Sequence, residues 1–189
     1  MIFDNMEFFN VDNLQAIEGM NGLRLNRFPV AVAAAMGHNI ETNGHANGRF
    51  RALRTQGCEI RFVTPSVFFD ITLTSLESET RALIFLGDNF HSSHILQQGA
   101  TTCLHIERHE VYKNIDLGKK PHRRFANNVW RVLLSAGGKV FFNFIDTFGF
   151  DRRPPTASEK PALRMAAYGS SITCGSNSLV YTRDRKSVV

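Results

Sequence analysis

A serine near the C-terminal end of the chain is placed as a nucleophile would be. The apolar run Leu163–Tyr168 is typical of a strand buried on both faces, and Gly169, Ser170 and Ser171 follow it directly. Glycine permits a tight turn, from which a hydroxyl can project beyond the sheet edge. The N–H groups of a helix that begins there could stabilise an oxyanion. The pattern differs from G-x-S-x-G, because Thr173 stands at the place of its second glycine.

The segment from 169 to 175, Gly-Ser-Ser-Ile-Thr-Cys-Gly, resembles the first signature block of the SGNH, or GDSL-type, hydrolases. That block usually reads G-D-S-[IL]-T-x-G, and Ser170 stands where the family most often has Asp. The fixed positions are matched by Gly169, Ser171, Ile172, Thr173 and Gly175. The G-S-S-I-T form is similar to a subgroup of these esterases in which a β-sandwich domain precedes the catalytic domain.

The resemblance implies an acyl-transfer chemistry for Ser171. This residue would attack an ester carbonyl, form an acyl-serine intermediate and donate its backbone N–H to the oxyanion, without a metal or another cofactor. The substrate would be a small-molecule or carbohydrate acyl ester. The family's base is a His in a later Asp-x-x-His block, and no His follows Ser171 in this sequence. We therefore expect this chain by itself to be inactive.

The last six residues, 184–189, resemble the in-frame translation of a DNA-sequencing adapter. We therefore expect a non-native tail there and a catalytic domain that is truncated after its first block.

Two alternatives belong to other classes of function. One is a non-catalytic carbohydrate-binding sandwich, in which Trp130, Tyr112 and Phe148 would stack on a sugar, although the sequence favours core packing for these residues. The other is a structural or interaction domain. A downstream Asp-x-x-His block would favour the enzyme, whereas an exposed row of aromatic rings that binds glycans would favour the module.

Two pairs of histidines invite a metal-site hypothesis. His91 and His94 are one pair, His105 and His109 are the other, and Glu107 lies between the members of the second pair. In an extended strand, however, residues 91 and 94 point to opposite faces, and the sequence contains no H-E-x-x-H. We favour surface histidines on strands or loops.

The composition describes an ordinary globular protein of 189 residues with a net charge of +5 and 43% hydrophobic residues. The basic run 119–124 lacks interleaved aromatic residues and favours a solvated loop, so we expect no nucleic-acid partner. No apolar stretch is long enough to span a membrane. The acidic N-terminus is a poor signal peptide, and we expect a cytoplasmic protein. The composition does not indicate an oligomeric state.

The elements that must position this serine are mostly strands. Alternating or β-branched runs predict strands at residues 22–28, 59–63, 67–74, 81–86, 101–106, 129–134 and 139–145. The glycines at 137 and 138 predict a hairpin between the last two, and residues 30–36 predict a brief helix or an edge segment. Sixteen phenylalanines suit a core between two sheets.

These patterns predict a mainly β fold with a jelly-roll-like sandwich. The sandwich would be followed by the truncated first strand and nucleophile turn of an α/β, flavodoxin-like SGNH domain. The predicted boundaries are 1–150 for the sandwich, 151–161 for a proline-rich linker, 162–183 for the start of the hydrolase domain and 184–189 for the tail.

Overall fold

The computed structural model describes residues 1–36, 52–112, 124–135 and 137–162. The strands of these ranges are β1 (Ile2–Phe3), β2 (Met6–Phe9), β3 (Asn13–Ala16), β4 (Leu23–Asn26), β5 (Glu59–Val63), β6 (Phe68–Leu76), β7 (Thr80–Leu86), β8 (Asn89–Leu96), β9 (Thr101–Glu107), β10 (Val129–Leu134) and β11 (Lys139–Asp146). Helix α1 spans Val30–Ala35, and short 3-10 helices span Glu110–Tyr112 and Ala157–Glu159. No helix within the described ranges is long and apolar enough to cross a bilayer.

The strands form two antiparallel sheets that pack face to face as a β-sandwich. One sheet has the order β1-β2-β5-β10-β7-β8, and the other has the order β3-β4-β11-β6-β9. Among the described strands, consecutive strands belong to different sheets seven times: at β2 to β3, β4 to β5, β5 to β6, β6 to β7, β8 to β9, β9 to β10 and β10 to β11. Crossing of this kind is typical of jelly rolls, so the predicted mainly β sandwich is confirmed.

Aromatic side chains fill the space between the sheets, as the phenylalanine content predicts. Phe62 on β5 contacts Phe69 on β6 edge to face, with 5.0 Å between the ring centroids. Phe8 on β2 contacts Phe142 on β11 at 5.2 Å. Trp130 is fully buried and lies 5.1 Å from Phe69. Such edge-to-face pairs add to the free energy of area burial, so they help to hold the two sheets together.

The predicted hairpin at Gly137 and Gly138 is wrong, because β10 and β11 belong to different sheets. Here the glycines let the crossing chain pass against the turn between β6 and β7. A Cβ atom on Gly138 would lie 2.0 Å from the carbonyl oxygen of Leu76. The amide of Gly138 donates to Oγ1 of Thr80 at 2.7 Å. A pair of glycines serves a hairpin and a close crossing equally well, so the sequence could not separate them.

The other strands predicted within the described ranges are confirmed, with shifts of one or two residues at their ends. The strand predicted at residues 163–168 lies outside these ranges. Residues 30–36 resolve into helix α1 rather than an edge segment. Strands β1, β2, β3 and β8 were not predicted. Of these, β8 contains polar residues on both faces, and a register shift opposite Ile84 and Phe85 places a bulge at His91.

Candidate functional site

The predicted nucleophile block lies outside the described residues, which end at Ala162. This holds for Ser171 and for the rest of the block, Gly169, Ser170, Ile172, Thr173 and Gly175. The described site is therefore the segment that leads to this block, together with the polar clusters of the sandwich.

The segment of residues 151–160, called here the C-terminal arm, lies along the six-stranded sheet. Arg153 pairs with Val63 at the end of β5 through two backbone hydrogen bonds of 2.8 and 3.0 Å. Arg152 forms an ion pair with Asp4 in the turn between β1 and β2. The arm thus takes the place of a short additional strand beside β5, and the sandwich fixes the direction in which the chain leaves.

Glu159 stabilises the conformation of the C-terminal end of the arm. Its carboxylate accepts hydrogen bonds from the guanidinium of Arg153 at 2.7 and 2.8 Å and from the amide of Thr156 at 2.8 Å. Asn128, just before β10, donates to the same carboxylate at 2.9 Å. The hydrogen bonds from Arg153 come first among the causes that hold the pKa of Glu159 well below its usual range. The group therefore stays charged, and it joins the arm to the segment before β10.

Beneath the arm, the outer face of the six-stranded sheet carries a buried ion network. Glu59 on β5 accepts a hydrogen bond from Arg131 on β10 and also pairs with Arg61. Arg61 reaches Glu7 on β2, and Lys160 of the arm pairs with the same carboxylate. Burial lowers the pKa of Arg131, and Glu59 opposes this effect. The last residue of the arm is thus tied to charges inside the sheet.

Phe125 covers this network. The guanidinium carbon of Arg131 lies 4.0 Å from the centroid of the Phe125 ring, and that of Arg61 lies 4.9 Å from it. A cation over an aromatic face is stabilised most when water is excluded, as it is here. The sequence did not lead us to predict this network. The feature that could have indicated it is the presence of Glu59, Arg61 and Arg131 in strands that are otherwise apolar.

The histidines do not form the pairs that the metal-site hypothesis would require. His105 lies on the outer face of the five-stranded sheet, where its Nδ1 is 2.6 Å from a carboxylate oxygen of Asp70. Strand β9 ends before His109, whose ring stacks on that of His91 at 4.5 Å. No group of three or more metal-ligating side chains occurs in the part of the chain that the structure describes.

A chain of hydrogen bonds links the two histidines of β8 through a serine. Nε2 of His91 donates to the carbonyl oxygen of Glu107 at 2.8 Å, because a carbonyl can only accept. In the neutral ring Nδ1 is then the acceptor for the hydroxyl of Ser92 at 2.9 Å. Nε2 of His94 lies 2.9 Å from the same hydroxyl oxygen and donates to it. Burial lowers the pKa of His91 and of His94, which favours these neutral forms.

The three aromatic residues considered for a sugar platform lie in different environments. Trp130 is fully buried, so its predicted role in core packing is confirmed. Tyr112 is partly buried and donates to the carbonyl oxygen of Phe90 at 2.9 Å. Phe148 is exposed and packs on Phe68 with 4.8 Å between centroids. A platform that uses Trp130 is excluded by its burial.

The two described cysteines are free thiols. Cys58 is buried, and burial raises the pKa of its thiol to about 12, so it is a packing residue rather than a nucleophile. Cys103 is exposed on β9.

Comparison with protein-family models and with curated protein sequences finds no match. Among solved structures, the chain is similar to the salicylyl-acyltransferase SsfX3 from a tetracycline biosynthetic pathway, with a TM-score of 0.63 and 15% sequence identity. The similarity covers 95% of this chain and 47% of that one, so the chain spans about half the length of this neighbour. At this identity the likeness shows the fold alone.

Proposed function

We propose that this chain is the N-terminal part of an SGNH-type serine enzyme that transfers acyl groups from esters to water or to another acceptor. The observation that carries the proposal is the block of residues 169–175, in which Ser171 matches the nucleophile position. The fold likeness to a chain named as an acyltransferase supports the proposal. This chain covers 47% of that one, which agrees with its being one part of a larger enzyme. The substrate class would be acyl esters, acylated carbohydrates among them.

In the proposed reaction the hydroxyl of Ser171 attacks the ester carbonyl and its proton passes to a histidine. The C–O bond of the ester breaks, the alcohol leaves with that proton, and the acyl group stays on the serine oxygen. Water or an acceptor hydroxyl then takes the acyl group. The resemblance places this histidine in a later Asp-x-x-His block, and no histidine follows Ser171 in this sequence.

In this scheme the arm allows the sandwich to help position the nucleophile. Near-attack geometry requires the nucleophile to be held to within a fraction of an ångström. The pairing of Arg153 with Val63 and of Lys160 with Glu7 fixes the chain shortly before the proposed first strand of the catalytic domain. In this scheme the sandwich sets the starting point of that strand.

The test compares this chain with a protein extended along its natural reading frame. We expect no turnover of p-nitrophenyl acetate by this chain and clear turnover by the extended protein. We expect Ser171→Ala to lower kcat/KM of the extended protein by about a thousandfold or more, with loss of the acyl adduct seen by mass spectrometry. Ser170→Ala is the matched control and should keep most of the activity. Full activity in Ser171→Ala would contradict the proposal.

A further inference from the structure

A second polar site lies at the open edge of the sandwich, where β8 of one sheet faces β9 of the other. Past the end of β9 the chain forms the 3-10 helix Glu110–Tyr112, which lies against β8. The rings of His91, His109 and Tyr112 stack there at near-parallel angles. Arg108 and Trp130 complete this group, which we call the edge site. It uses none of the residues assigned to acyl transfer.

Arg108 is the cation of the edge site. Its guanidinium carbon lies 5.9 Å from the centroid of the Trp130 ring. Its Nε atom is buried and has no hydrogen-bond acceptor among the described residues. Burial lowers the pKa of Arg108, and no carboxylate of the described residues opposes this effect, in contrast to Arg131 beside Glu59. Within the described ranges, Arg108 is thus a half-buried cation that forms no ion pair.

Trp130 adds a second donor at the same place. Its side chain is fully buried, and its Nε1 has no acceptor in the described part of the chain. Its ring also contacts His91, with 5.5 Å between centroids. Buried N–H groups are nearly always paired in native proteins, because an unpaired donor loses its hydrogen bond to water and gains nothing. Nε of Arg108 and Nε1 of Trp130 both lack an acceptor among the described residues, and the charge of Arg108 favours an acceptor with negative charge.

The charge and shape of the edge site restrict the chemical class of ligand that would fit it. Arg108 supplies one positive charge, whereas burial favours the neutral form of His91. A monoanion matches this charge better than a phosphate dianion does. The rings of His91, His109 and Tyr112 are nearly parallel and form an aromatic group beside Arg108, which suits a planar organic body. A carboxylate on a planar body meets both conditions.

We propose that the edge site binds a small planar carboxylate, with the guanidinium of Arg108 as its charge partner and the aromatic rings of His91, His109 and Tyr112 beside it. A guanidinium and a carboxylate form two parallel hydrogen bonds, which fixes the orientation of the ligand.

Trp130 reports on the proposal directly, because it is the only tryptophan of the chain. Its fluorescence is followed in this chain during titration with sodium benzoate, and benzamide serves as the uncharged probe of the same shape. We expect a saturable change with benzoate in the millimolar range and binding of benzamide at least about tenfold weaker, since it lacks the charge.

Arg108→Gln should weaken benzoate binding by about tenfold or more. Arg108→Lys keeps the charge but loses the two parallel N–H donors of the guanidinium, so its affinity for benzoate should lie between those of Arg108→Gln and the unchanged chain. Arg81→Gln, which removes an exposed arginine of β7, is the matched control and should bind normally. Thermal unfolding of each variant checks that it folds, and Arg108→Lys carries the test if Arg108→Gln does not. Equal binding of benzoate and benzamide, or normal binding by the folded arginine variants, would overturn the proposal.

Discussion

Glu59 shows how the environment of one residue decides its role. It stands in an alternating strand, where a charged residue ordinarily faces water. Instead its side chain is buried and accepts hydrogen bonds from the guanidinium groups of Arg61 and Arg131. Removing one partner from such a network leaves the other charges buried and uncompensated, which costs more than the pairing contributes.

At the residue scale, we expect Glu59→Gln to lower the free energy of unfolding by about 3 kcal/mol, because Arg61 and Arg131 then repel each other in a buried site. Urea denaturation followed by circular dichroism measures the change. Glu18→Gln, at an exposed position, should shift the midpoint very little. An equal, small shift in both variants would show that the network does not stabilise the fold.

At the scale of elements, the crossing between β10 and β11 depends on the absence of a side chain at Gly138. Its neighbours at that point are backbone atoms of the turn between β6 and β7, which cannot move aside as a flexible side chain could. The connection therefore couples the two sheets where a hairpin would have joined neighbours of one sheet.

We expect Gly138→Ala to destabilise the protein by about 3 kcal/mol or more, because the new Cβ would overlap the carbonyl oxygen of Leu76. Gly99→Ala is the control. Gly99 has a φ of +72° and nothing within 4 Å of a Cβ, so the substitution should cost only about 1–2 kcal/mol of backbone strain. Thermal unfolding compares the two, and a smaller loss in Gly138→Ala than in Gly99→Ala would contradict this account of the crossing.

At the scale of the whole molecule, the arm joins the sandwich to the proposed catalytic part. The sequence predicts a linker at residues 151–161, because they are polar and rich in proline. Within this segment, however, Arg153 forms backbone hydrogen bonds with β5 and Lys160 forms an ion pair with β2. The arm is thus bound to the sandwich near both of its ends.

We expect the free energy of unfolding of a chain that ends at Phe150 to be about 2 kcal/mol lower than that of a chain that ends at Ala162. The shorter chain loses the two backbone hydrogen bonds to Val63, each contributing about 1 kcal/mol, and the ion pair of Lys160 with Glu7. Urea midpoints measured side by side decide the matter. Identical midpoints would mean that the arm lies on the sandwich without stabilising it.

Much of this protein could be predicted from the sequence alone, because period-two alternation and aromatic content reflect local backbone geometry and the demand for a buried core. They predicted seven of the strands, the sandwich and the buried position of Trp130. The block around Ser171 gave the functional hypothesis from the order of its residues, and that hypothesis stays a prediction.

The tertiary structure alone decided which strands are neighbours and which charges are buried. The ion pair of Glu59 with Arg131 joins residues that are far apart in the chain. The stacking of His91 on His109 involves a residue that a bulge displaces in β8. Such contacts depend on sheet order and on the path of the loops, and these are set by the packing of the whole core rather than by any local pattern. For the same reason, the position of Arg108 beside Trp130, without an ion pair among the described residues, could be recognised only after the two sheets had been placed together.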